Sequence, residues 1–368
     1  MRGMFSGIAG VMSLFAFCGA ALAAAGPVVH SALGGQILGY DVDQNGTEGI
    51  LSEYVALNNG LSNVATETFD QASGKIIKIV KEIRNTRDDF ATQRVTGTSV
   101  GLVLEQIVKG STKNVFRTLD PLDGNAFTGA WTPPLKKSDN ILEISENQGS
   151  ATTAVLGSHN TENNSASFVF STNVGENTFG RAFDLKDSLF DFNDTPVMAM
   201  DNATNQAVVA ASIGCRACGT SLVEVDLTSG KQTEFAGLGL GIVNGIAVDS
   251  ADGIACTSTE IDFSLEFYNL ATHQGTLVVL PGAGSQLQSG QDVEFDPVNK
   301  LFLVGQEYTS TGASGSSIQV FDTQGNFVES INGLSLPASS TLIALNPSTR
   351  TGYVEVPPSG AELQGFSY

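Results

Sequence analysis

Histidine is scarce in this chain, with three residues in 368. His30 lies near the N-terminus, His159 at a predicted turn and His273 in a predicted hairpin. The sequence also lacks a G-x-S-x-G elbow, an H-E-x-x-H helix and a glycine-rich phosphate loop. An acid–base or nucleophilic enzyme would therefore have to be built from carboxylates.

Positive charge is also in short supply. The chain has 18 Lys and Arg against 38 Asp and Glu, a formal net charge of −20 and a pI near 4.3. Binding to phosphate groups needs a compensating basic surface, so nucleic acids and anionic membranes are excluded as partners. Cations, neutral ligands or a protein partner fit this balance better.

Half of the basic residues, nine of 18, fall between Lys75 and Arg117. One interpretation is that they form solvated strand faces, Lys75, Lys78 and Lys81 above all. The other is that long loops in this part of the chain contact an anionic ligand or an acidic partner. The contact candidates are then Arg84, Arg87, Arg94 and Trp131.

Long apolar runs are missing except at the N-terminus, where Arg2 precedes a run from Ile8 to Leu22 that ends in small residues. This pattern predicts a signal peptide over residues 1–23, cleaved after Ala23. A lipoprotein cleavage before Cys18 is disfavoured because bulky Phe17 precedes it. We therefore expect a secreted or periplasmic protein without a membrane span after cleavage.

Cysteine is limited to three residues after that cleavage: Cys215, Cys218 and Cys256. In an exported protein the C-x-x-C pair favours a local disulfide, and a bridge from either of its members to Cys256 is the alternative. One thiol stays unpaired in both cases. Zinc binding is disfavoured because only three thiols are present and no histidine lies near them.

What the chain has in abundance is a repeat, seen most completely in residues 289–333. A short apolar run ends on Asp or Asn at a turn, and a second apolar run, an alternating run and a hairpin follow. The terminal Asp or Asn can initiate the turn by accepting a hydrogen bond from its own backbone two residues on. We call this terminal residue of the first apolar run the mark of a repeat. The marks are Asp70, Asp120, a degenerate copy at Gly157 or Asn160, Asp201, Asp249, Asp296 and Asn346.

Seven marks, spaced 40 to 50 residues apart, predict an all-β, seven-bladed β-propeller. The last unit ends before a fourth strand, and residues 36–55 contain two strand-like runs without a mark. We therefore expect a strand from this N-terminal segment to pair with the C-terminal blade and close the ring. Residues 24–35 are interpreted as an N-terminal extension and residues 36–368 as one propeller domain.

The alternating strand and hairpin SLVEVDLTSGKQ (221–232), with the inner strands GIAVD and VEFDP, resembles YVTN/lactonase-like and NHL-type propellers. The similarity covers roughly residues 60–368 and rests on turn and strand signatures. Propellers of these groups include sugar-lactone hydrolases, quinoprotein-like electron carriers and many binding proteins. The resemblance implies the fold and carries over no catalytic residue.

Glu294 is the most unusual of the inner-strand residues. Two positions before the other marks the residues are small, whereas Glu294 carries a carboxylate, with Asp292 close by. A buried carboxylate is costly unless it is paired, hydrogen-bonded or bound to a cation. Asn63, Asn114, Asp194, Asn244 and Asp292 precede inner strands in this interpretation and would form an oxygen-rich ring suited to calcium.

A second possible calcium site begins at Asp41. Asp41, Asp43 and Asn45 occupy positions 1, 3 and 5 of a calcium-loop pattern, but position 12 is Ser52. Asn45-Gly46 between two alternating runs equally predicts a tight hairpin. Both interpretations remain open from the sequence.

Long loops between second and third strands, at residues 84–98, 131–139, 213–220 and 305–317, are expected on the face where the inner strands begin. Propellers commonly bind on such a face. We therefore expect a monomeric protein that binds a ligand or protein partner there. The alternative is a lactonase-type hydrolase that uses a divalent metal, such as calcium, held at the channel by Glu294 and neighbouring Asx residues.

Overall fold

A computed structural model describes the backbone of most of the chain from residue 26 to the C-terminus. The described residues are 26–87, 89–95, 101–108, 112–119, 122, 127, 129–133, 135–136, 139–145, 151–159, 167–185, 196–212, 219–259, 264–281, 287–310, 313–334, 342–356 and 360–368. The predicted signal peptide, Asp194, Cys215 and Cys218 lie outside them. No helix in these ranges has the length and apolar character that crossing a bilayer requires.

The described residues form seven small antiparallel sheets, which we call blades 1 to 7 in chain order. Blade 1 contains β2 (Gln36–Val42), β3 (Glu48–Ala56), β4 (Ser62–Asp70) and β5 (Ile76–Thr86). Blade 2 contains β6 (Asp89–Val95), β7 (Gly101–Val108), β8 (Thr112–Leu119) and β9 (Gly129–Trp131). Blade 3 contains β10 (Asn140–Ile144), β11 (Thr152–Ser158), β12 (Ser167–Asn173), β13 (Thr178–Phe179) and β14 (Phe183–Asp184).

The remaining blades follow the same order from inner to outer strand. Blade 4 contains β15 (Val197–Asp201), β16 (Gln206–Ser212), β17 (Gly219–Asp226) and β18 (Gln232–Leu240). Blade 5 contains β19 (Val243–Asp249), β20 (Ile254–Thr259), β21 (Ser264–Asn269) and β22 (Gln274–Val279). Blade 6 contains β23 (Leu287–Asp296), β24 (Leu301–Ser310), β25 (Ala313–Asp322) and β26 (Phe327–Leu334). Blade 7 contains β27 (Ile343–Asn346), β28 (Thr351–Glu355), β29 (Glu362–Ser367) and, from the N-terminus, β1 (Val28–His30).

The first strands of the blades stand side by side around an axis. Contacts run in the order β2, β6, β10, β15, β19, β23, β27 and back to β2. A separate hydrophobic cluster fills each of the seven gaps between neighbouring blades. Both faces of each sheet are thus covered by neighbouring blades, which explains the nearly continuous apolar runs of the second strands. This is the seven-bladed propeller that the sequence predicts.

In blades 4 to 7 the marks end the innermost strands as predicted. Asp201 Oδ1 accepts a hydrogen bond from the backbone N–H two residues on at 3.0 Å, Asp249 Oδ1 does so at 3.1 Å and Asp296 Oδ1 at 2.8 Å. Asn346 Oδ1 accepts from the backbone N–H three residues on at 3.3 Å. The predicted role of these residues in turn formation is confirmed.

In the first three blades the assignment of marks to inner strands is wrong. Asp70 ends β4, and the run before Asp120 is β8; both are third strands. The copy ending near Gly157 is β11, a second strand. The physical reason is that a third strand also ends in a tight turn, and Asp70 Oδ1 accepts the backbone N–H of Ser73 at 2.7 Å. The true inner strands there are β2, β6 and β10.

An N-terminal strand closes the ring as predicted, although a different one from those expected. Residues 36–55 form β2 and β3 of blade 1, and the closing strand is β1, whose Val29 lies opposite Leu363 of β29. Val29 is fully buried in the cluster between blades 7 and 1. Three residues are enough because their apolar centre fills this gap while their backbone pairs with β29 as the fourth strand of blade 7.

The segment that follows β1 is held by two buried carboxyl groups of blade 1. Glu67 Oε2 accepts the backbone N–H of Ala32 at 3.0 Å. Glu53 accepts the N–H of Leu33 at 2.7 Å and that of Gly35 at 3.0 Å. Both side chains are fully buried, and they also hydrogen-bond to each other. The carboxyl pair therefore anchors the connection between the closing strand and the first blade.

Candidate ligand site at the mouth of the central channel

The innermost strands share an irregularity near their beginnings. The pairing with the second strand shifts by one residue at Leu38 in β2, Gln93 in β6, Leu142 in β10, Asn244 in β19 and Gln291–Asp292 in β23. A β-bulge takes a residue out of the ladder and turns its side chain in a new direction. The bulge residues Leu38, Leu142, Asn244 and Asp292 line one cavity at the axis of the ring.

These bulges frame a cavity of about 370 Å³, which we call the mouth cavity. Its polar lining comes from Tyr40, Glu143, Asn244, Asp292 and Glu355. Its apolar lining comes from Ile37, Leu38, Leu142, Pro196, Val197 and Leu342. The cavity lies at the end of the channel where the inner strands begin, and its volume is at the small end of the range for ligand pockets.

Gly245 shows how closely the strands approach beside the mouth cavity. A Cβ atom at this position would lie 2.6 Å from the backbone nitrogen of Val293 on the neighbouring inner strand. Any side chain would push blades 5 and 6 apart at the axis. Glycine is therefore required by the close approach of two backbones.

Two carboxylates of the lining bind the inner strand of the next blade. Glu143 Oε2 accepts the backbone N–H of Met198 at 2.8 Å, and Asp292 Oδ2 accepts that of Ile343 at 2.9 Å. Each acidic residue lies at a bulge in its own strand. These hydrogen bonds fix the direction of both carboxylates and hold them at the edge of the cavity.

Tyr40 and Glu355 form the boundary between blades 1 and 7. The Tyr40 hydroxyl donates to the carbonyl of Leu342 and accepts the backbone N–H of Glu355 at 3.0 Å. Burial, and next the charge of Glu355, raise the pKa of Tyr40 well above its ordinary value, so the phenol stays neutral. Burial also raises the pKa of the Glu355 carboxyl, and no cation within the described part of the chain offsets this effect.

The sequence predicted two residues of this site. Asn244 and Asp292 both line the mouth cavity. Glu294 lies two residues further along β23, is 2% exposed and does not line the cavity. Its role as a ligand or metal residue stays a prediction, as does that of Asp194, which lies outside the described residues.

Asn63 and Asn114 do not precede inner strands, because β4 and β8, which contain them, are not the innermost strands of blades 1 and 2. Both lie on third strands. The side-chain oxygen of Asn63 accepts the backbone N–H of Asn85 at 3.1 Å, and Asn114 Nδ2 donates to the carbonyl of Asp139 at 3.3 Å. The predicted oxygen-rich ring is thus reduced to Asn244 and Asp292 among the described residues.

The proposed basic and aromatic contacts lie on or beside strands of blades 1 and 2. Arg84 lies on the outermost strand β5 in an ion pair with Glu82 at 2.5 Å, and Arg87 is exposed just after that strand. Trp131, on the outermost strand β9, stacks on Phe116 with 5.9 Å between ring centroids. Arg94 lies on the inner strand β6, and its side chain is outside the described residues. Their role as contact residues stays a prediction.

The expected long loops are partly strands. Residues 84–98 contain the end of β5 and all of β6, and residues 305–317 belong largely to β24 and β25, which form a long hairpin. The segment 131–139 connects β9 to β10, whereas residues 213–218 lie outside the described ranges. Alternating polar and small residues in strands were mistaken for loop composition.

The segment that begins at Asp41 is a β-hairpin. Strands β2 and β3 pair on either side of it, Asp43 Oδ1 accepts the backbone N–H of Asn45 at 3.0 Å, and Asn346 Nδ2 donates to the carbonyl of Gly46 at 2.9 Å. Asp41 and Asp43 are both buried. Within the described ranges no group of three His, Cys, Asp or Glu side chains is placed to hold a metal ion. Calcium binding at Asp41, Asp43, Asn45 or Glu294 stays a prediction.

Cys256 is a free thiol on β20 and is fully buried. Burial, and next the charge of Glu266, raise the pKa of this thiol well above its ordinary value. The predicted alternative of a bridge from Cys215 or Cys218 to Cys256 stays a prediction, because both possible partners lie outside the described residues. The pairing of Cys215 with Cys218 lies outside the described residues.

Sequence reasoning missed Tyr40, Glu143 and Glu355. Tyr40 and Glu143 were missed because β2 and β10 were not recognised as inner strands, and Glu355 because it ends a second strand. The sequence contains one signal for the correct order. Two strand-like runs precede the run that ends at Asp70, so that run can be the third strand of a blade that begins with β2 and β3.

Comparisons with known proteins support the fold of this chain but assign it to no family and to no function. No protein-family model matches the chain, and no curated protein matches its sequence. Among solved structures, the Dos1 propeller has a TM-score of 0.57 at 10% identity and covers 93% of this chain and 95% of its own. A chain of the mitotic checkpoint complex has a TM-score of 0.60 at 13% identity and covers 100% of this chain and 99% of its own. At this identity the likeness shows a β-propeller, and membership of the YVTN or NHL group stays an expectation from the sequence.

Proposed function

We propose that this protein binds a small ligand in the mouth cavity. The observation that carries the proposal is the cavity of about 370 Å³ at the axis, in which hydrogen-bonded carboxylates and other polar side chains share the wall with apolar side chains. Ligand sites commonly combine a mostly apolar surface with a few oriented polar groups. Side chains of blades 1, 3, 4, 5, 6 and 7 all reach this place, so a ligand there would contact most of the ring.

Export is part of the proposal and rests on residues 1–23, whose charged start, apolar run and small-residue end are typical of a signal peptide. A secreted or periplasmic propeller would meet its ligand, or a protein partner, outside the cytoplasm. The lactonase-type alternative requires a metal held near Glu294. Binding is preferred because the cavity lies beside Asp292 and Asn244, whereas Glu294 lies outside its lining.

The test compares two leucine-to-tryptophan variants. Leu38→Trp would fill the mouth cavity from the bulge of β2, whereas Leu277→Trp changes a 44% exposed leucine on the outer strand β22. A mixed library of neutral, cationic and anionic fragments is screened by saturation-transfer NMR. Fragments that bind the wild-type protein and Leu277→Trp should lose their signal with Leu38→Trp.

The proposal would be overturned if no fragment bound the wild-type protein, or if the same fragments bound both variants equally well. Thermal unfolding of the two variants must be cooperative and at similar temperatures for the comparison to count.

A further inference from the structure

His159 follows β11, and its imidazole ring lies between two carboxylates. Its Nδ1 is 2.9 Å from Oδ1 of Asp139, and its Nε2 is 3.0 Å from Oδ1 of Asp184. His30 and His273 each form an ion pair with one carboxylate. Asp139 directly precedes β10, whereas Asp184 ends β14. The histidine therefore joins the entry of the inner strand of blade 3 to the outer edge of the same blade.

The two contacts require a proton on each ring nitrogen. An ionised carboxylate only accepts hydrogen bonds, and a neutral imidazole has a single N–H to donate. Only the imidazolium can bond Asp139 and Asp184 at once. The ring of Phe168 packs against the imidazole with 4.6 Å between ring centroids, and contact with an aromatic ring also favours the cation. The arrangement thus depends on the protonation state of one side chain.

The two carboxylates differ in how they tolerate the loss of a donor. The side chain of Asp139 is 2% exposed, and its Oδ2 accepts the backbone N–H of Lys136 at 2.7 Å. The side chain of Asp184 is 77% exposed, so water can replace the imidazole there. Loss of a donor costs most at a buried acceptor. A neutral ring should therefore keep its Nδ1–H toward Asp139 and turn the lone pair of Nε2 toward Asp184.

Asp184 belongs to a strand that has few contacts of its own. Strand β14 is two residues long and pairs with β12. The N–H of Leu185 extends this pairing by donating to the carbonyl of Ser167 at 2.8 Å, and Gln232 of blade 4 donates to the carbonyl of Asp184 at 2.8 Å. Loss of the bond from the histidine should therefore loosen β14 without detaching it.

The surroundings of His159 favour its charged form. Burial opposes the charge, but the hydrogen bonds to Asp184 and Asp139, together with the charges of both, raise the pKa of His159 above its ordinary value of 6.5. Phe168, which covers the ring from β12, carries no charge. The stabilisation is fully present below the unfolded pKa and is lost as the pH rises through the folded pKa. The bond to Asp184 should thus be present in mildly acidic solution and absent in alkaline solution.

We propose that His159 is a pH-sensitive bridge at the outer edge of blade 3. In its protonated form it holds Asp184 of β14 to Asp139, and loss of the Nε2 proton to water releases Asp184 and loosens β14. The bridge requires neither a ligand nor the mouth cavity. Its test is therefore independent of the proposed function.

The first measurement is an NMR titration of the imidazole signals of the full-length mature protein. The chain has three histidines, and the signal of His159 is the one that is absent from His159→Gln. Its midpoint should lie above pH 6.5, and Asp184→Asn, which removes the charge and keeps the shape, should lower it. Asp252→Asn removes an equal charge from a 59% exposed side chain in blade 5 and should leave the midpoint unchanged.

The second measurement is amide hydrogen exchange at pH values on either side of that midpoint, expressed as protection factors. The protection of the Leu185 amide should fall about threefold as the ring loses its proton, as the loss of an exposed ion pair predicts. The Gly180 amide donates to the carbonyl of Ser171 at 2.8 Å near the other end of β12 and is the matched comparison. Its protection should not change. In His159→Gln the pH dependence at Leu185 should disappear.

Three results would overturn the inference. A midpoint at or below pH 6.5, or one that Asp184→Asn leaves in place, would mean that the two carboxylates do not hold the proton. Equal protection of Leu185 on both sides of the midpoint would mean that β14 does not depend on the bridge. If His159→Gln fails to fold, Asp184→Asn decides, because its exposed side chain can be replaced without disturbing the core and the pH dependence at Leu185 should weaken in it.

Discussion

The carboxyl pair that anchors the N-terminal segment predicts an unusual dependence of stability on pH. Burial, and next the hydrogen bond and charge of Glu53, raise the pKa of Glu67 to about 9, and Glu82 on β5 adds to the effect. In the unfolded chain a glutamate titrates near 4.5. At pH values between these two pKa values, the folded protein keeps a proton that the unfolded chain releases.

The sign follows from this difference in bound protons. The stabilisation is fully present below the unfolded pKa, and it is lost as the pH rises toward the folded pKa. Each pH unit in this window lowers the free energy of unfolding by about 1.4 kcal/mol. From pH 5 to pH 8 the stabilisation that the protonated pair provides should therefore fall by a few kcal/mol, on the order of that slope over the window.

Glu67→Gln is the perturbation that isolates this effect. The amide can still donate a hydrogen bond to Glu53, as the protonated acid does, but it cannot lose a proton. Urea unfolding at pH 5, 6, 7 and 8 should show a steep fall in stability for the wild-type protein and a flatter profile for Glu67→Gln. The free energy of unfolding of the variant, relative to that of the wild-type protein, should increase as the pH rises.

Glu234→Gln changes an exposed residue on the outermost strand β18 and serves as the control. Its free energy of unfolding should run parallel to that of the wild-type protein across the same pH range. Parallel profiles for wild type and Glu67→Gln would refute the shared proton, whatever the absolute stabilities. Subtraction of the two profiles removes the contribution of groups that titrate equally in both proteins.

Three further substitutions test the architecture by urea unfolding. Asp249→Ala removes a buried carboxylate that begins a turn and should cost about 2–3 kcal/mol. Asp226→Ala, at a turn whose carboxylate is exposed, should cost clearly less, and equal costs would contradict the role of burial. Gly245→Ala places a Cβ against the backbone of the next inner strand and should cost more than about 2 kcal/mol, while Gly219→Ala, with open space around it, should cost less than about 1 kcal/mol. Val29→Ala in the closing strand should cost about 2 kcal/mol, and a cost near zero would mean that β1 does not seal the ring.

The fold was predictable because each blade repeats the same local chemistry. Asp201, Asp249 and Asp296 begin turns with their own side chains, and such turns leave a pattern in the sequence. The same chemistry misled the assignment of the first blade, since Asp70 forms an equivalent turn at the end of a third strand. A repeat of turns establishes the number of blades but does not identify which strand of each blade is innermost.

The candidate site was less predictable, because it depends on bulges. Asn244 and Asp292 could be placed near the axis from their distance to a mark. Leu142 and Glu143 could not, because their positions at the cavity follow from a one-residue shift in pairing between β10 and β11. The inner strands β15 and β27 pair without such a shift around the same axis, so the position of an inner strand in the ring does not predict where a shift occurs.

The closing strand also constrains the order of folding. Val28 pairs with Gln364, so the first described strand has its partner only after nearly the whole chain has been synthesised. Closing so long a loop is entropically slow. Until it happens, β29 lacks its outer partner and Val29 does not fill the gap beside blade 1. The propeller should therefore acquire its full cooperativity in one late step, with the carboxyl pair of blade 1 engaging the chain immediately behind the closing strand.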